Sequence, residues 1–326
     1  MPFWKRKESK TISSESVIKE ALSRARKISN YTLRLFSLRD ISQALSKAGE
    51  IERALDVIRE IGKLRFALNP ESVDKDRASA LSNVSKALAE AGEIERAKRM
   101  IEETLNITKR ISEDSLRSEA LVSISRALAK IGETERALDI ARGISHEFRP
   151  SALSDISEAL IKVGEIEKAK EIIKEASDIA GIISSDVIRV GALSDISVAL
   201  AKAGDLEKAK RVIEEALGIA ERIHDKSEYD VSHWFALLDV VEALAEIGET
   251  ERALNIAKLI SFYRSRIYAL SIISEALVKD ANIEKAKEII KEAFSITKGI
   301  RIDWVRVGAL SKIYTALRSI EQAQTY

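Results

Sequence analysis

One phrase recurs along almost the whole chain and limits its fold more than any other feature. It reads Ala-Leu-Ser-x-Ile-Ser-x-Ala-Leu and, three residues later, Gly-Glu-x-Glu-Arg/Lys-Ala. Its glycine position recurs at intervals of 32 to 44 residues, at Gly49, Gly92, Gly132, Gly164, Gly204, Gly248, Ala281 and Glu321. Such self-similarity is typical of repeat proteins, whose neighbouring units share one continuous core. One elongated array therefore replaces the two domains that 326 residues would otherwise suggest.

Within each unit, apolar residues fall at helical spacing on both sides of the glycine position. Leu38, Ile41 and Leu45 illustrate the stripe before it, and Ala54 begins the stripe after it. The pattern predicts helix A, a tight turn and helix B. Glycine ends helix A because it adopts the left-handed backbone without steric cost. No unit can bury both stripes alone, so the units are expected to stack.

These repeats predict an all-α solenoid of about seven helix-turn-helix units with capping half-repeats. Residues 15–29 resemble a lone helix B, and residues 308–320 resemble a lone helix A. Tyr314 in that last helix occupies a small-residue position, where we expect nothing to follow and pack against it. The expected organisation is a flexible basic arm over 1–14, a single solenoid over 15–320 and a tail over 321–326.

A higher-order duplication is also visible. Residues 132–200 resemble residues 248–317, and Arg-Val-Gly-Ala-Leu-Ser occurs at 189–194 and again at 306–311. A block of three repeats is therefore inferred to have been copied.

Composition argues against several classes of function. Lys and Arg number 53 and Asp and Glu 52, which disfavours bulk electrostatic binding of nucleic acid or an anionic membrane. The chain has no cysteine, its three histidines are scattered, and it has no Gly-rich phosphate loop. We therefore expect no enzyme activity, no cofactor and no metal. With no secretory or membrane-spanning apolar run, a cytoplasmic protein is expected, and 32% charged residues are typical of a thermophile.

The phrase Gly-Glu-Ile-Glu-Arg-Ala, with a small residue seven before the glycine and alanine five after it, resembles the tetratricopeptide repeat. The resemblance covers about residues 15–320. The aromatic residues usual in that family are here Leu and Ile, and most units are longer. The resemblance implies a right-handed superhelix whose concave face, lined by helix A, holds a peptide or protein partner. A HEAT-like array is the structural alternative.

On that basis the expected function is a non-enzymatic interaction scaffold, with self-association and an RNA-binding solenoid as alternatives. Reading the helix A positions that would line the concave face gives the candidate partner-binding residues. They are Phe36, Arg39, Lys47, Lys86, Arg126, Lys130, Lys162, Lys202, Phe235, Leu238, Glu242, Tyr268, Glu275 and Lys279. This face is basic in the first copies and more acidic and aromatic near the end. A solvated surface of mixed charge is the alternative interpretation.

Ten of the sixteen aromatic residues lie after residue 225, and Phe235 and Tyr268 are the expected anchors of a partner. The alternative is that these rings seal the last inter-repeat contacts.

An arginine also recurs at the start of helix A. It stands at Arg34, Arg77, Arg117, Arg149, Arg189, Arg266 and Arg306, with His233 in the remaining copy. A structural role between repeats is favoured over a ladder for phosphates.

Overall fold

The computed structural model describes residues 12–223 and 232–324. Within them the chain forms sixteen α-helices and a short 3-10 turn at Leu64–Phe66, without any strand. The all-α prediction is confirmed. Residues 1–11 of the expected arm and 325–326 of the expected tail lie outside the described residues. No helix in the described ranges is both long and apolar enough to cross a membrane.

The helices form an inner and an outer set, which correspond to helix A and helix B. The inner helices are α2 (Tyr31–Lys47), α4 (Pro70–Glu90), α6 (Asp114–Lys130), α8 (Arg149–Lys162), α10 (Asp186–Lys202), α12 (Ser232–Glu246), α14 (Tyr263–Lys279) and α16 (Asp303–Ala323). The outer helices are α1 (Ser14–Lys27), α3 (Ile51–Lys63), α5 (Ile94–Thr108), α7 (Thr134–Arg142), α9 (Ile166–Ala180), α11 (Leu206–Ala220), α13 (Thr250–Leu259) and α15 (Ile283–Thr297).

The recurrent glycine ends each inner helix as the sequence predicts. Gly49 has φ +77°, and its five glycine counterparts also have positive φ. The next residue then bonds back to the recurrent leucine, as in Glu50 N–H donating to the carbonyl of Leu45 at 2.9 Å. This geometry satisfies helix carbonyls that would otherwise lack donors. Ala281 takes the same place with φ +58°, so this turn forms even without glycine.

The recurrent small residues allow the inner and outer helices to approach closely. Ala54 and its six counterparts five residues after the turn position are all fully buried. Ser42 and Ser85, seven residues before it, are fully buried too. Burial of many Ala, Leu, Ile and Val side chains in one cluster supplies most of the stabilisation, because burial of apolar area is the dominant favourable contribution.

The inner helices follow one another around a closed circle. Each inner helix packs against the next inner helix in the chain, and the last one, α16, packs against the first one, α2. The solenoid is therefore a ring of eight inner helices surrounded by eight outer helices. We call the contacts of α16 with α1 and α2 the closing junction.

The two half-repeats complete each other at this junction. Helix α1 packs on α16 as the other outer helices pack on their inner partners, so the first and last helices form one repeat. The Arg306–Glu20 ion pair (2.8 Å) reproduces here the Arg77–Glu103 pair (2.9 Å) of a covalently continuous repeat. The half-repeats thus cap one another and leave no open end.

Tyr314 shows the consequence of closure for one side chain. The expectation that nothing packs against it is wrong, because α2 follows α16 around the ring. The residue is fully buried, and its hydroxyl donates to the carboxylate of Glu50 at the end of α2.

Four of the recurrent arginines, Arg77, Arg149, Arg266 and Arg306, contact a neighbouring helix, which supports their structural interpretation. Arg149 donates to the carbonyls of Ile144 (3.0 Å) and Arg142 (3.1 Å), near the end of the preceding outer helix. Arg266 pairs with Glu292 at 3.1 Å. In the copy without arginine, the His233 ring nitrogen Nδ1 lies 2.9 Å from the carbonyl oxygen of Ala220.

Candidate functional site

The inner helices enclose a cavity of about 920 Å³, which we call the lumen. All eight of them contribute residues to its lining. Eight helices at the usual axial spacing of about 8–10 Å place their axes on a circle roughly 21–26 Å across. Subtracting one helix diameter of about 10–12 Å leaves a channel roughly 10–15 Å wide. Such a channel suits an extended chain or a small molecule better than a folded domain.

Nine of the predicted partner-binding residues line the lumen together. They are Lys47, Lys86, Arg126, Lys130, Lys162, Lys202, Glu242, Glu275 and Lys279. All of them stand two or six residues before the turn position, so they occupy the half of each inner helix nearest the turns.

The other five predicted residues are not part of this lining. Leu238 is buried in the core at 8% exposure. Arg39 stacks on Phe36 and pairs with Asp76 at 3.5 Å. The Tyr268 hydroxyl accepts from Arg264 and donates to Asp40.

Phe235 and Tyr268 therefore do not form the shared anchor expected from the sequence. Phe235 on α12 is 41% exposed, whereas Tyr268 is held by its hydrogen bond to Asp40 on α2 beside the closing junction. Trp304 lies there as well, with the Arg264 guanidinium 5.1 Å from its ring centroid. Several C-terminal aromatic side chains thus pack at the closing junction of the helices, which is the alternative given above.

Many charges in the lumen neutralise one another. Arg126 pairs with Asp155 at 2.6 Å, and Lys202 pairs with Glu158 at 2.7 Å. Lys47 reaches over α16 to Glu275, so one ion pair joins the two neighbours of the last helix. These pairs hold parts of the lining in place.

Three lysines on adjacent helices have no such partner. Lys86 on α4, Lys130 on α6 and Lys162 on α8 make no ion pair within the described ranges, and we call them the lysine wall. Removal from bulk water, together with contact with Lys162, lowers the pKa of Lys130 to about 8. Removal from water also lowers the pKa of Lys86. Cations that face a cavity without an ion-pair partner favour an anionic group there.

Three carboxylates in the lining of the lumen were missed by the sequence analysis. Asp155, Asp195 and Asp239 stand nine residues before the turn on α8, α10 and α12, and all three line the lumen. Removal from water and the nearby Asp155 raise the pKa of Asp195 to about 7. The recurrence of aspartate at this otherwise variable position was the signal that could have found them, since Asp40 occupies it too.

Among residues 12–223 and 232–324, no group of three or more His, Asp and Glu side chains is placed to hold a metal ion. What the arrangement can do is bind charged groups. It presents Lys86, Lys130 and Lys162 on α4, α6 and α8, and Asp195, Asp239 and Glu242 on α10 and α12.

Comparison with known proteins gives a family match and several likenesses in structure. The tetratricopeptide repeat model matches residues 77–115, which span most of α4, all of α5 and the start of α6. Ton1535 from Thermococcus onnurineus NA1 is 17% identical over 92% of this chain and 98% of that chain, with a TM-score of 0.30. No curated protein matches the sequence. The chain is thus similar to tetratricopeptide-like helical repeat proteins, as its recurrent phrase predicts.

Proposed function

We propose that the protein is an interaction scaffold whose lumen holds an extended, acidic segment of a partner protein. The coarse part of this function, a protein-interaction scaffold, has the support of the tetratricopeptide match. The finer part rests on one observation, the lysine wall, in which Lys86, Lys130 and Lys162 face the lumen and make no ion pair with a described residue.

Two physical arguments favour a peptide over other partners. The channel, roughly 10–15 Å wide, leaves little room for a helix of about 10–12 Å with its side chains. Nucleic acid would place phosphates close to Asp195, Asp239 and Glu242 as well as to the lysines. The repulsion would offset the attraction, whereas a peptide can match both charges along its length.

The test uses a fluorescently labelled decapeptide of alternating Glu and Ser as the probe. Its affinity is measured by fluorescence anisotropy for the parent protein and for the triple variant K86Q/K130Q/K162Q. We expect at least a tenfold loss, because three uncompensated charges facing the ligand are removed.

A matched control changes the same charge elsewhere. The exposed Lys174, Lys258 and Lys291 lie on outer helices, so K174Q/K258Q/K291Q should leave the affinity within about twofold. Equal losses in the two triple variants would contradict the proposal. Retention of single-stranded polyuridine in place of the peptide would show an RNA-binding protein instead.

The pH dependence gives a second readout of the same proposal. Because the pKa of Lys130 is lowered to about 8, its ammonium loses a proton as the pH rises from 7 to 9. The affinity for the acidic decapeptide should fall across that range, and the fall should be smaller in K130Q.

A further inference from the structure

The duplicated helices α10 and α16 carry the same phrase but have different surroundings. The repeated phrase Arg-Val-Gly-Ala-Leu-Ser places Gly191 in α10 and Gly308 in α16 at equivalent positions. The preceding inner helix is α8 in the first copy of the block and α14 in the second. The side chains that lie over these two glycines differ, and the difference shows what each neighbouring helix contributes.

Over Gly308 the space is filled by a guanidinium and a phenol. Arg264 Nη2 lies 2.7 Å from Asp40 Oδ2, and the Tyr268 hydroxyl donates to the same oxygen at 3.1 Å. A methyl group on Gly308 would come within 2.8 Å of Asp40 Oδ2. The carboxylate of the following helix thus lies over the glycine and is neutralised by a cation from the preceding helix.

Over Gly191 the same carboxylate is present without the cation. Asp239 stands on the following helix in the position of Asp40, and its Oδ2 would lie 3.2 Å from a methyl group on Gly191. On the preceding helix α8, Ser151 takes the position of Tyr268, and Glu147, in the turn just before α8, takes the sequence position of Arg264. The large ring and the cation are both replaced, so the space over Gly191 stays open to the lumen.

The electrostatics agree with a vacant place for a cation. Asp239 has no hydrogen bond or ion pair within the part of the chain that the structure describes. Removal from water and the neighbouring Asp195 raise the pKa of Asp239 well above its usual range. Lys312 on α16 faces the Tyr268 ring, and its counterpart on α10 is Asp195. The two cations at the Gly308 site, Arg264 and Lys312, therefore correspond to carboxyl residues at the Gly191 site.

We propose that this acidic recess, formed by Ser151, Gly191, Asp195 and Asp239, binds a guanidinium group of the ligand in the place that Arg264 occupies over Gly308. The inference rests on the proposed function, in which the ligand is a peptide, and it assigns that peptide an arginine beside its acidic residues. A guanidinium fits because two carboxylates accept its parallel N–H groups, while Ser151 leaves room for its plane.

The first experiment uses N-acetyl-arginine amide as the probe and titration calorimetry as the measurement. N-acetyl-citrulline amide, which is nearly isosteric and uncharged, is the ligand control. We expect binding of the arginine probe alone and at least a tenfold loss in Asp239→Asn. Asp139→Asn, a change on the outer helix α7 where Asp139 is 71% exposed, should have no effect.

A second variant copies the filled site into the open one. Glu147→Arg with Ser151→Tyr supplies the guanidinium and phenol of the α14 pair, so the protein should occupy its own recess, lose the arginine probe and melt at a higher temperature. Equal binding of the citrulline probe, or unchanged binding in both Asp239→Asn and the double variant, would overturn the inference. Its failure is distinguishable from that of the proposed function, because the acidic decapeptide and the lysine variants test Lys86, Lys130 and Lys162, none of which forms part of the recess.

Discussion

Two junctions of the ring, one around α16 and one around α10, contain the same duplicated phrase but differ in how their helices are connected. Around α10 the chain runs on through α11, so the polypeptide itself holds the repeat together. Around α16 the next repeat is the first one, and only non-covalent contacts join them. The closing junction neutralises the carboxylate over its glycine, whereas the α10 junction leaves its own carboxylate free.

The difference shows what each kind of contact contributes. Val17, Ile18, Ala21 and Ala25 of α1 are buried as fully as the corresponding residues of covalently linked outer helices. Apolar burial therefore holds the ends together, since each exposed ion pair adds only about 0–1 kcal/mol. The polar contacts fix the register: Ser14 donates to Glu321 at 2.7 Å, which sets where α1 sits along α16.

The strongest way to break the comparison is to remove α1. Deleting residues 1–29 strips the outer helix from the closing repeat and should cost on the order of 5 kcal/mol through the loss of Val17, Ile18 and the two buried alanines. Urea unfolding should show the lower midpoint, and small-angle scattering should show a larger radius as the ring opens. Deleting only residues 1–11 leaves α1 intact and is the control; a 1–29 deletion that retained the parent's midpoint and radius would refute closure.

A pair of alanine substitutions compares the two glycines directly. Gly308→Ala places a methyl group 2.7 Å from the Tyr268 hydroxyl and 2.8 Å from Asp40 Oδ2, so it should destabilise by about 1–3 kcal/mol. Gly191→Ala meets only Asp239 Oδ2 at 3.2 Å, and that side chain can turn into the lumen, so its effect should stay below about 1 kcal/mol. Thermal melting of both variants gives the order, and equal losses would show that the two sites are packed alike.

A smaller effect is expected from the charge of the acidic recess. The pKa of Asp195 is raised to about 7 from 3.8, so the unfolded chain releases this proton at lower pH than the folded ring. The free energy of unfolding of the parent should therefore fall as the pH rises from about 4 to 7, relative to that of Asp195→Asn. Urea midpoints between pH 4 and pH 8 measure this, and parallel profiles would contradict it.

The sequence predicts the units of this fold better than their closure. The glycine turns, the buried alanines, the lone helix B and the lone helix A all follow from apolar spacing and backbone preference. Whether eight inner helices complete a circle depends on a small rotation between neighbouring repeats, which arises from the packing of many side chains. Complementary half-repeats at the two ends were visible, yet spacing alone does not say that α1 and α16 meet.

The site was likewise predictable in part. The nine lumen residues found from the sequence stand two or six positions before the turn, where helical geometry places a side chain on the concave side. Asp155, Asp195 and Asp239 stand nine positions before the turn. Helical geometry places these positions between the concave side of the helix and the side that faces the neighbouring inner helix. These positions reach the lumen only because the residues beside them, Ser151 and Gly191, are small. Their exposure to the lumen therefore depends on residues of the neighbouring helix and not only on their own helix.

The contact between Ser14 and Glu321 also indicates that the chain could tolerate circular permutation. Because the two ends lie side by side within one repeat, a short linker could join them, and new termini could be cut at any of the glycine turns. Such circular permutants would contain the same eight repeats in the same order around the circle. Stability should then depend little on where the polypeptide begins, since each repeat relies on its two neighbours and not on its place in the sequence.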